Sequence, residues 1–266
     1  MSDAASFGKS EPIIQVEHLN KQFTVGKEPI LILNDINLSI YPGEFVTIVG
    51  HSGCGKSTLL KIICGLVDYE NGKVERNGHV VNGPDPACGM VFQEHRLLPW
   101  LKVKDNVGFG LEKLSKEERD QKVKRHLELV GLEQFADSYP KQLSGGMAQR
   151  AAIARGLVKN PSILLLDEPF GALDALTKIQ MQKEIKRIQQ EEKITMVMVT
   201  HDIEEAIVLG NRVVVMSARP GEIKEIINTS SAGGRRNSAD FEYYKRKIYG
   251  YLFEDREEET GVEYVI

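Results

Sequence analysis

Eight residues, Gly50-His51-Ser52-Gly53-Cys54-Gly55-Lys56-Ser57, stand between an apolar run, Phe45 to Val49, and a helical run, Thr58 to Gly65. Few folds accommodate that succession. The spacing is G-x-x-x-x-G-K-[ST], in the strand–loop–helix context the motif requires. Glycines let the backbone curl so that successive N–H groups converge on phosphate oxygens. The helix that follows adds its positive N-terminal end at the same point. Lys56 reaches the β- and γ-phosphates, and the Ser57 hydroxyl ligates Mg²⁺. A glycine-rich turn that merely contains Lys-Ser needs neither flank. The candidate phosphate-binding set is Gly50, His51, Ser52, Gly53, Cys54, Gly55, Lys56, Ser57 and Thr58.

A second stretch, Ile163-Leu164-Leu165-Leu166-Asp167-Glu168-Pro169, puts two carboxylates at the end of an apolar strand. Carboxylates there are costly unless a cation or hydrogen bonds meet them. Mg²⁺ beside a triphosphate supplies that cation. Asp167 would hold the ion, largely through its water shell. Glu168, one residue on, can polarise an attacking water as a general base. Alone, such a pair reads as a solvated strand end. Downstream of a phosphate loop, the catalytic reading prevails.

The rest of the chain reads as an α/β protein. Strands are expected at Ile13 to Val16, Phe45 to Val49, Ile163 to Leu166, Thr195 to Val199 and Arg212 to Met216. Short antiparallel pieces are expected within Lys73 to Gly83, broken by Asn77-Gly78 and Asn82-Gly83, pairs typical of hairpin turns. Ser115 and Glu118 form a capping box for a helix that Gly131 ends. Further helices should run from about Met147 to Val158, from Leu176 to Gln190, and after Asp202. Strand–helix alternation implies a mostly parallel sheet with crossover helices. From Ser230 the composition changes. Ser-Ser-Ala-Gly-Gly-Arg-Arg reads as a linker, and Glu254 to Glu263 as an acidic, frayed end.

Composition removes several function classes. A formal net charge of −4 over 266 residues gives no basic field for nucleic acid. No run approaches the roughly 18 apolar residues of a spanning helix, so a membrane role would come through a partner. Met1 to Glu11 is polar and does not read as a secretory signal. Three cysteines, Cys54, Cys64 and Cys88, contain no C-x-x-C pair and suggest neither a disulfide framework nor a zinc site.

The run Leu143-Ser144-Gly145-Gly146-Met147-Ala148-Gln149-Arg150 closely resembles the signature of ATP-binding cassette (ABC) proteins. That family often has Gln where this chain has Met147. The departure bears on the side chain and leaves the Ser-Gly-Gly backbone chemistry intact. Ser144 and the N–H groups of Gly145 and Gly146 open a helix and can face a γ-phosphate. Taken alone, the run would be a helix cap. Four further matches accompany it. Gln93 in Val91-Phe92-Gln93-Glu94 corresponds to a family Gln that touches the metal and the attacking water. His201 in Val199-Thr200-His201-Asp202 corresponds to the family His after the acidic strand. Gly171-Ala172-Leu173-Asp174 resembles the loop linking the two active sites of a dimer. Phe23 corresponds to the aromatic that stacks on adenine, more often a Tyr, with a core position as its alternative.

The resemblance spans Ile13 to about Glu225 and implies the ABC ATPase fold: a P-loop core with a mostly parallel sheet, an antiparallel β subdomain and a helical subdomain at about 95–158. It further implies a polar tail over 1–12, a cassette domain over 13–229 and an extension over 230–266. The implied cofactors are ATP and Mg²⁺, with Ser57, Gln93 and Asp167 as metal ligands and Glu168, His201 and Gln93 as catalytic residues. The implied assembly is a head-to-tail homodimer in which each ATP lies between Lys56 of one chain and Ser144 of the other. Leu97 to Val107, with Pro99-Trp100-Leu101, and Met216-Ser217-Ala218-Arg219-Pro220-Gly221 resemble importer ATPases for nitrate, alkanesulfonates and taurine. An integral-membrane permease would meet the chain near Pro99, Trp100 and Leu101, an extracytoplasmic solute-binding protein would act indirectly, and the chain would lie peripherally on the cytoplasmic face of the membrane. A core role for Trp100 is the alternative. About 40 residues after Glu225 leave no room for the regulatory β-barrel of sugar-importer ATPases. An exporter ATPase and a soluble, non-transport ABC ATPase stand as competing functions.

Overall fold

The chain from β1 (Ile14–Val25) runs through β2 (Glu28–Ile40), β3 (Phe45–Gly50), α1 (Lys56–Cys64), β4 (Asn71–Arg76) and β5 (His79–Val80). It continues through β6 (Cys88–Val91), α2 (Val103–Val107), α3 (Lys116–Leu129), α4 (Gly145–Leu157), β7 (Ile163–Asp167) and α5 (Ala175–Glu192). It closes with β8 (Thr195–Val199), α6 (Ile203–Leu209), β9 (Arg212–Met216), β10 (Ile223–Asn228) and α7 (Ala239–Thr260). The computed structural model describes residues 11–171, 173–232, 236 and 238–260. Residues 1–10 of the expected polar tail lie outside that range. Two compact units result. One joins the chain up to Pro84 to that from Val197, and the other is Asp85–Met196.

In the first unit β3 is buried along its whole length, which is why its sequence is largely apolar rather than alternating, with buried Thr47 donating to the Ala206 carbonyl at 3.1 Å. It pairs in parallel with β9, from Val46 opposite Arg212 to Gly50 opposite Met216. β10 adds antiparallel to β9. Buried Arg212 is paired with fully buried Glu44 and donates to the Ser39 carbonyl at 2.6 Å. A second, antiparallel sheet has the order β2-β1-β4-β5. Asn77 and Gly78 take φ of 50° and 74° between β4 and β5, the left-handed pair such a hairpin needs.

β1 extends nine residues past the expected Val16. Its pairing with β2 shifts register between Val16 and Leu19 and again by Lys21. His18 and Asp35 both have positive φ, 48° and 47°, and join through Nδ1 and Oδ1 at 2.7 Å. Such bulges break the two-residue period from which a strand is read.

The segment after Ser230 also departs from expectation. Ser230–Ala232 is a short 3-10 turn with Ala232 buried, while 233–235 of the expected linker and 261–263 of the expected frayed end lie outside the described residues. α7 continues as helix to Thr260. Phe241 and Ile248, seven residues apart, are buried against Val49, Ile203, Ile207, Val213 and Ile227. Two turns of helix put them on one face.

In the second unit β6 and β7 pair in parallel, Cys88 opposite Ile163 through Val91 opposite Leu166. Gly89 lets α4 approach: a Cβ there would lie 2.5 Å from the Gly156 carbonyl. Ser115 caps α3 with the expected box, the Glu118 N–H donating to Ser115 Oγ at 3.3 Å and the Ser115 N–H to Glu118 Oε2 at 3.0 Å. α4 starts at Gly145, two residues before the expected Met147. Among the described residues no helix is long and apolar enough to cross a membrane.

Candidate active site

In the first unit, β3 delivers the chain into the phosphate-loop sequence and α1 begins at Lys56. Gly53 and Gly55 have φ of 82° and 99°, and a Cβ on Gly55 would come within 2.6 Å of Leu33 Cδ2. Glycine is therefore required there twice over, by conformation and by space. Lys56 is 5% exposed. Its ammonium donates to the Gly50 carbonyl at 2.8 Å and the His51 carbonyl at 2.7 Å, partners a buried cation needs. Burial pushes the Cys54 thiol above its ordinary range, so this cysteine is a packing residue of the loop rather than a nucleophile.

The loop rests on the Met216–Gly221 run that leads from β9 into β10, a run whose sequence shows only a resemblance to importer ATPases. Gly221 N–H donates to the Ile32 carbonyl at 2.8 Å, and its own carbonyl accepts from Asn34 N–H at 3.0 Å. A Cβ on Gly221 would sit 2.0 Å from the Cys54 carbonyl oxygen. Arg219 donates to the Gly53 carbonyl at 3.3 Å. The loop is thus backed by the close approach of Gly221 at the Cys54 carbonyl and by the Arg219 guanidinium at the Gly53 carbonyl. Gly221→Ala should cost about 1–3 kcal/mol by overpacking, seen as a melting temperature several degrees lower, and should weaken nucleotide binding. Melting at the wild-type temperature would contradict this packing.

Two more predicted residues lie in this unit. Phe23, on β1, is 41% exposed, with the Lys21 ammonium 4.9 Å from its ring centroid. It is not core, and an exposed ring suits the expected stacking on a base. His201 is exposed where β8 gives way to α6. Its neighbours are fixed: Thr200 Oγ1 donates to Glu205 at 2.5 Å, and Asp202 caps α6 by accepting from Glu205 N–H at 3.1 Å.

The second unit carries the acidic strand and the signature run. Asp167 ends β7 and is 6% exposed. Because Val91 is opposite Leu166, Gln93 and Glu168, each two residues on, leave parallel strands at the same level. The Gln93 amide donates to Glu168 Oε2 at 3.4 Å. Glu168 has φ 45°, a conformation costly for a non-glycine residue and frequent at functional sites. Gly171 borders the same pair: a Cβ there would lie 3.9 Å from Glu168 Oε2 and 4.0 Å from the Gln93 amide nitrogen.

Ser144 caps α4, its Oγ accepting from Met147 N–H at 3.3 Å. Since the helix opens at Gly145, both glycine N–H groups lie in the first turn, where amides have no intrahelical partner. The two glycines serve different ends. A Cβ on Gly145 would meet nothing within 4 Å, whereas one on Gly146 would strike Thr177 Cγ2 at 2.6 Å. The first leaves the helix end open and the second lets α5 close in.

Pro99, Trp100 and Leu101 form a loop organised from beneath by Asn106. That side chain is fully buried, accepts from Leu98 N–H at 2.7 Å, and donates to the carbonyls of Leu98 and Leu101 at 3.1 Å each. Trp100 is 70% exposed, which excludes the core alternative.

Comparison with known proteins gives a consistent answer. Residues 33–171 match the family model described as ABC transporter. The chain is 46% identical over 236 residues to the aliphatic sulfonates import ATP-binding protein SsuB of Bacillus thuringiensis subsp. konkukian, covering 88% of this chain and 94% of that protein. It is 47% identical over 213 residues to the bicarbonate transport ATP-binding protein CmpC of Synechococcus elongatus, covering 78% of this chain and 32% of that one. A solved dimeric ATP-binding cassette, in a post-hydrolysis state with ADP and Pi, superposes with a TM-score of 0.73 at 36% identity, covering 81% of this chain and 98% of that chain.

Proposed function

The chain belongs to the ABC transporter family and is an ATPase, and we propose that it powers an importer of a small anion such as nitrate, an alkanesulfonate or taurine. The importer reading is supported by the names of its relatives, one importing aliphatic sulfonates and one transporting bicarbonate, both small anions. The hydrolytic reading rests above all on the Gln93–Glu168 contact at 3.4 Å, a carboxylate held by an amide at the end of an acidic strand.

In this reading the loop amides and Lys56 bind the β- and γ-phosphates, and Phe23 stacks on adenine. Mg²⁺ supplies charge neutralisation and would be held by Ser57, Asp167 and Gln93. The donor set fits a hard cation: a carboxylate, a hydroxyl and an amide oxygen, all oxygen ligands. Glu168 would take a proton from the water that attacks the γ-phosphorus, Gln93 would orient that water, ADP would leave, and His201 would contact the transferred γ-phosphate. A second copy of the chain contributes Ser144, Gly145 and Gly146 to each ATP, so nucleotide joins the two copies and hydrolysis releases them. The chain works peripherally on the cytoplasmic face of the membrane, in contact with permease subunits, with a solute-binding protein acting on them from outside.

Trp100 tests the coupling. An exposed tryptophan on a rigid loop is the residue type that most often anchors an interface. Trp100→Ala should leave the melting temperature and basal ATPase of the free subunit near wild type, since little is unpacked. It should reduce copurification with the permease and abolish solute-stimulated hydrolysis. Retention of solute stimulation would exclude this loop as the permease contact.

A further inference from the structure

The C-terminal helix touches the phosphate loop. His51 Nε2 lies 2.9 Å from the carbonyl oxygen of Leu252, two hundred and one residues away in sequence. His51 follows Gly50 directly, and its own carbonyl is one of the two that accept from Lys56. The loop residue next to the end of β3 is therefore tied on one side to the lysine and on the other to α7.

The helix is seated firmly enough to act as a reference. Phe241 and Ile248 bury against Val49, one residue before the end of β3, and against Ile203 and Ile207 of α6. Lys245 pairs with Glu204 of α6 at 2.6 Å, and the Tyr251 hydroxyl donates to Glu225 at 3.1 Å. α6 starts two residues after His201. One helix thus bears on both of this unit's functional segments, the loop that carries Lys56 and the turn that carries His201.

We propose that α7 is a positioning element of the phosphate loop, acting through His51, so that ATP affinity depends on the helix being seated. This rests on the loop being the ATP site. A free imidazole at this position would let the first turn of the loop sample other conformations, and the ordering would then be lost from binding free energy. The Leu252 carbonyl fixes it because a hydrogen bond to seated main chain cannot follow the loop. His51 is a positioning residue here, and its effect falls on binding rather than on the chemical step.

A double-mutant cycle on the full chain tests this. The variants are His51→Ala, His51→Gln, whose amide nitrogen reaches as far as Nε2, Leu252→Pro, which turns the chain off the helix below its buried anchors, and the His51→Ala/Leu252→Pro double. ATP binding is titrated, kcat and KM are measured separately, and melting is followed. His51→Ala should weaken ATP binding about three- to tenfold, the range one hydrogen bond spans, with kcat changed little and melting near wild type. His51→Gln should recover most of the affinity. Leu252→Pro should weaken binding similarly, and the double variant should be no weaker than either single one. Should Leu252→Pro not fold, Lys245→Ala with Tyr251→Phe loosens the same helix and takes its place in the cycle. Wild-type affinity in His51→Ala, or losses that multiply in the double variant, overturn the proposal. Lys56→Ala run alongside separates the two failures: ATP binding kept by Lys56→Ala sinks the loop assignment itself, whereas ATP binding lost there and kept in His51→Ala sinks only the role of α7.

Discussion

Lys56→Ala should lose ATP hydrolysis by about 10²–10³-fold or more, the scale on which one preorganised donor to the reacting group counts. The ammonium is buried and held by two loop carbonyls, so its position is set before nucleotide arrives. Removing it takes away the one full positive charge that the loop itself carries toward the triphosphate. It also leaves the Gly50 and His51 carbonyls without that donor, so part of the loss will be in loop geometry. Arginine is no substitute, because a planar fork cannot occupy the site of a compact ammonium. ATP titration and initial rates read the effect, with melting as the control for folding. Hydrolysis at the wild-type rate would show that the loop has been misassigned.

Glu168→Gln should separate binding from chemistry. The change keeps shape and an oxygen that can accept from the Gln93 amide, and neither residue is β-branched, so the left-handed backbone at this position is tolerated equally. What disappears is the proton acceptor. A positioned general base contributes typically 10²–10⁴-fold, and kcat should fall by about that factor while ATP affinity stays near wild type. A variant that turns over normally would move the role of base away from Glu168. One that no longer binds ATP would make this carboxylate part of the binding site instead.

How far these residues were legible beforehand depends on what holds them. The phosphate loop, the acidic strand and the capping box at Ser115 are local patterns, and a local pattern carries its own physics: glycine where the backbone must turn, a carboxylate where a cation must sit, an oxygen three residues before an amide. β8 and β9 match their expected limits at Thr195–Val199 and Arg212–Met216, because a strand buried on both faces is apolar along most of its length. β1 is legible only as far as Val16 because its bulges at His18 and Leu19 hide the alternation beyond it. α7 overlaps the expected frayed end only over 254–260, and the rest of it carries no plain helical pattern because its two buried anchors, Phe241 and Ile248, are separated by charged and tyrosyl residues. The support of the loop by Gly221 and Arg219, and the tie from His51 to Leu252, join residues more than 160 positions apart, each meeting a main-chain carbonyl. Nothing in residue type signals a carbonyl. For Trp100 the sequence left packing and interface open, and only its exposure decides between them.

Everything proposed for the cycle depends on ATP being held between two copies of the chain. Sedimentation velocity of Glu168→Gln, with Mg²⁺ and saturating ATP and again with no nucleotide, reads this without intermediate steps, because slow turnover preserves the ATP-bound species. A monomer is expected without nucleotide and a dimer with ATP. Adding Ser144→Arg, which sets a bulky cation at the opening of α4, should return the ATP-bound sample to monomer. A Glu168→Gln chain that binds ATP at full occupancy and still sediments as a monomer would contradict the shared site.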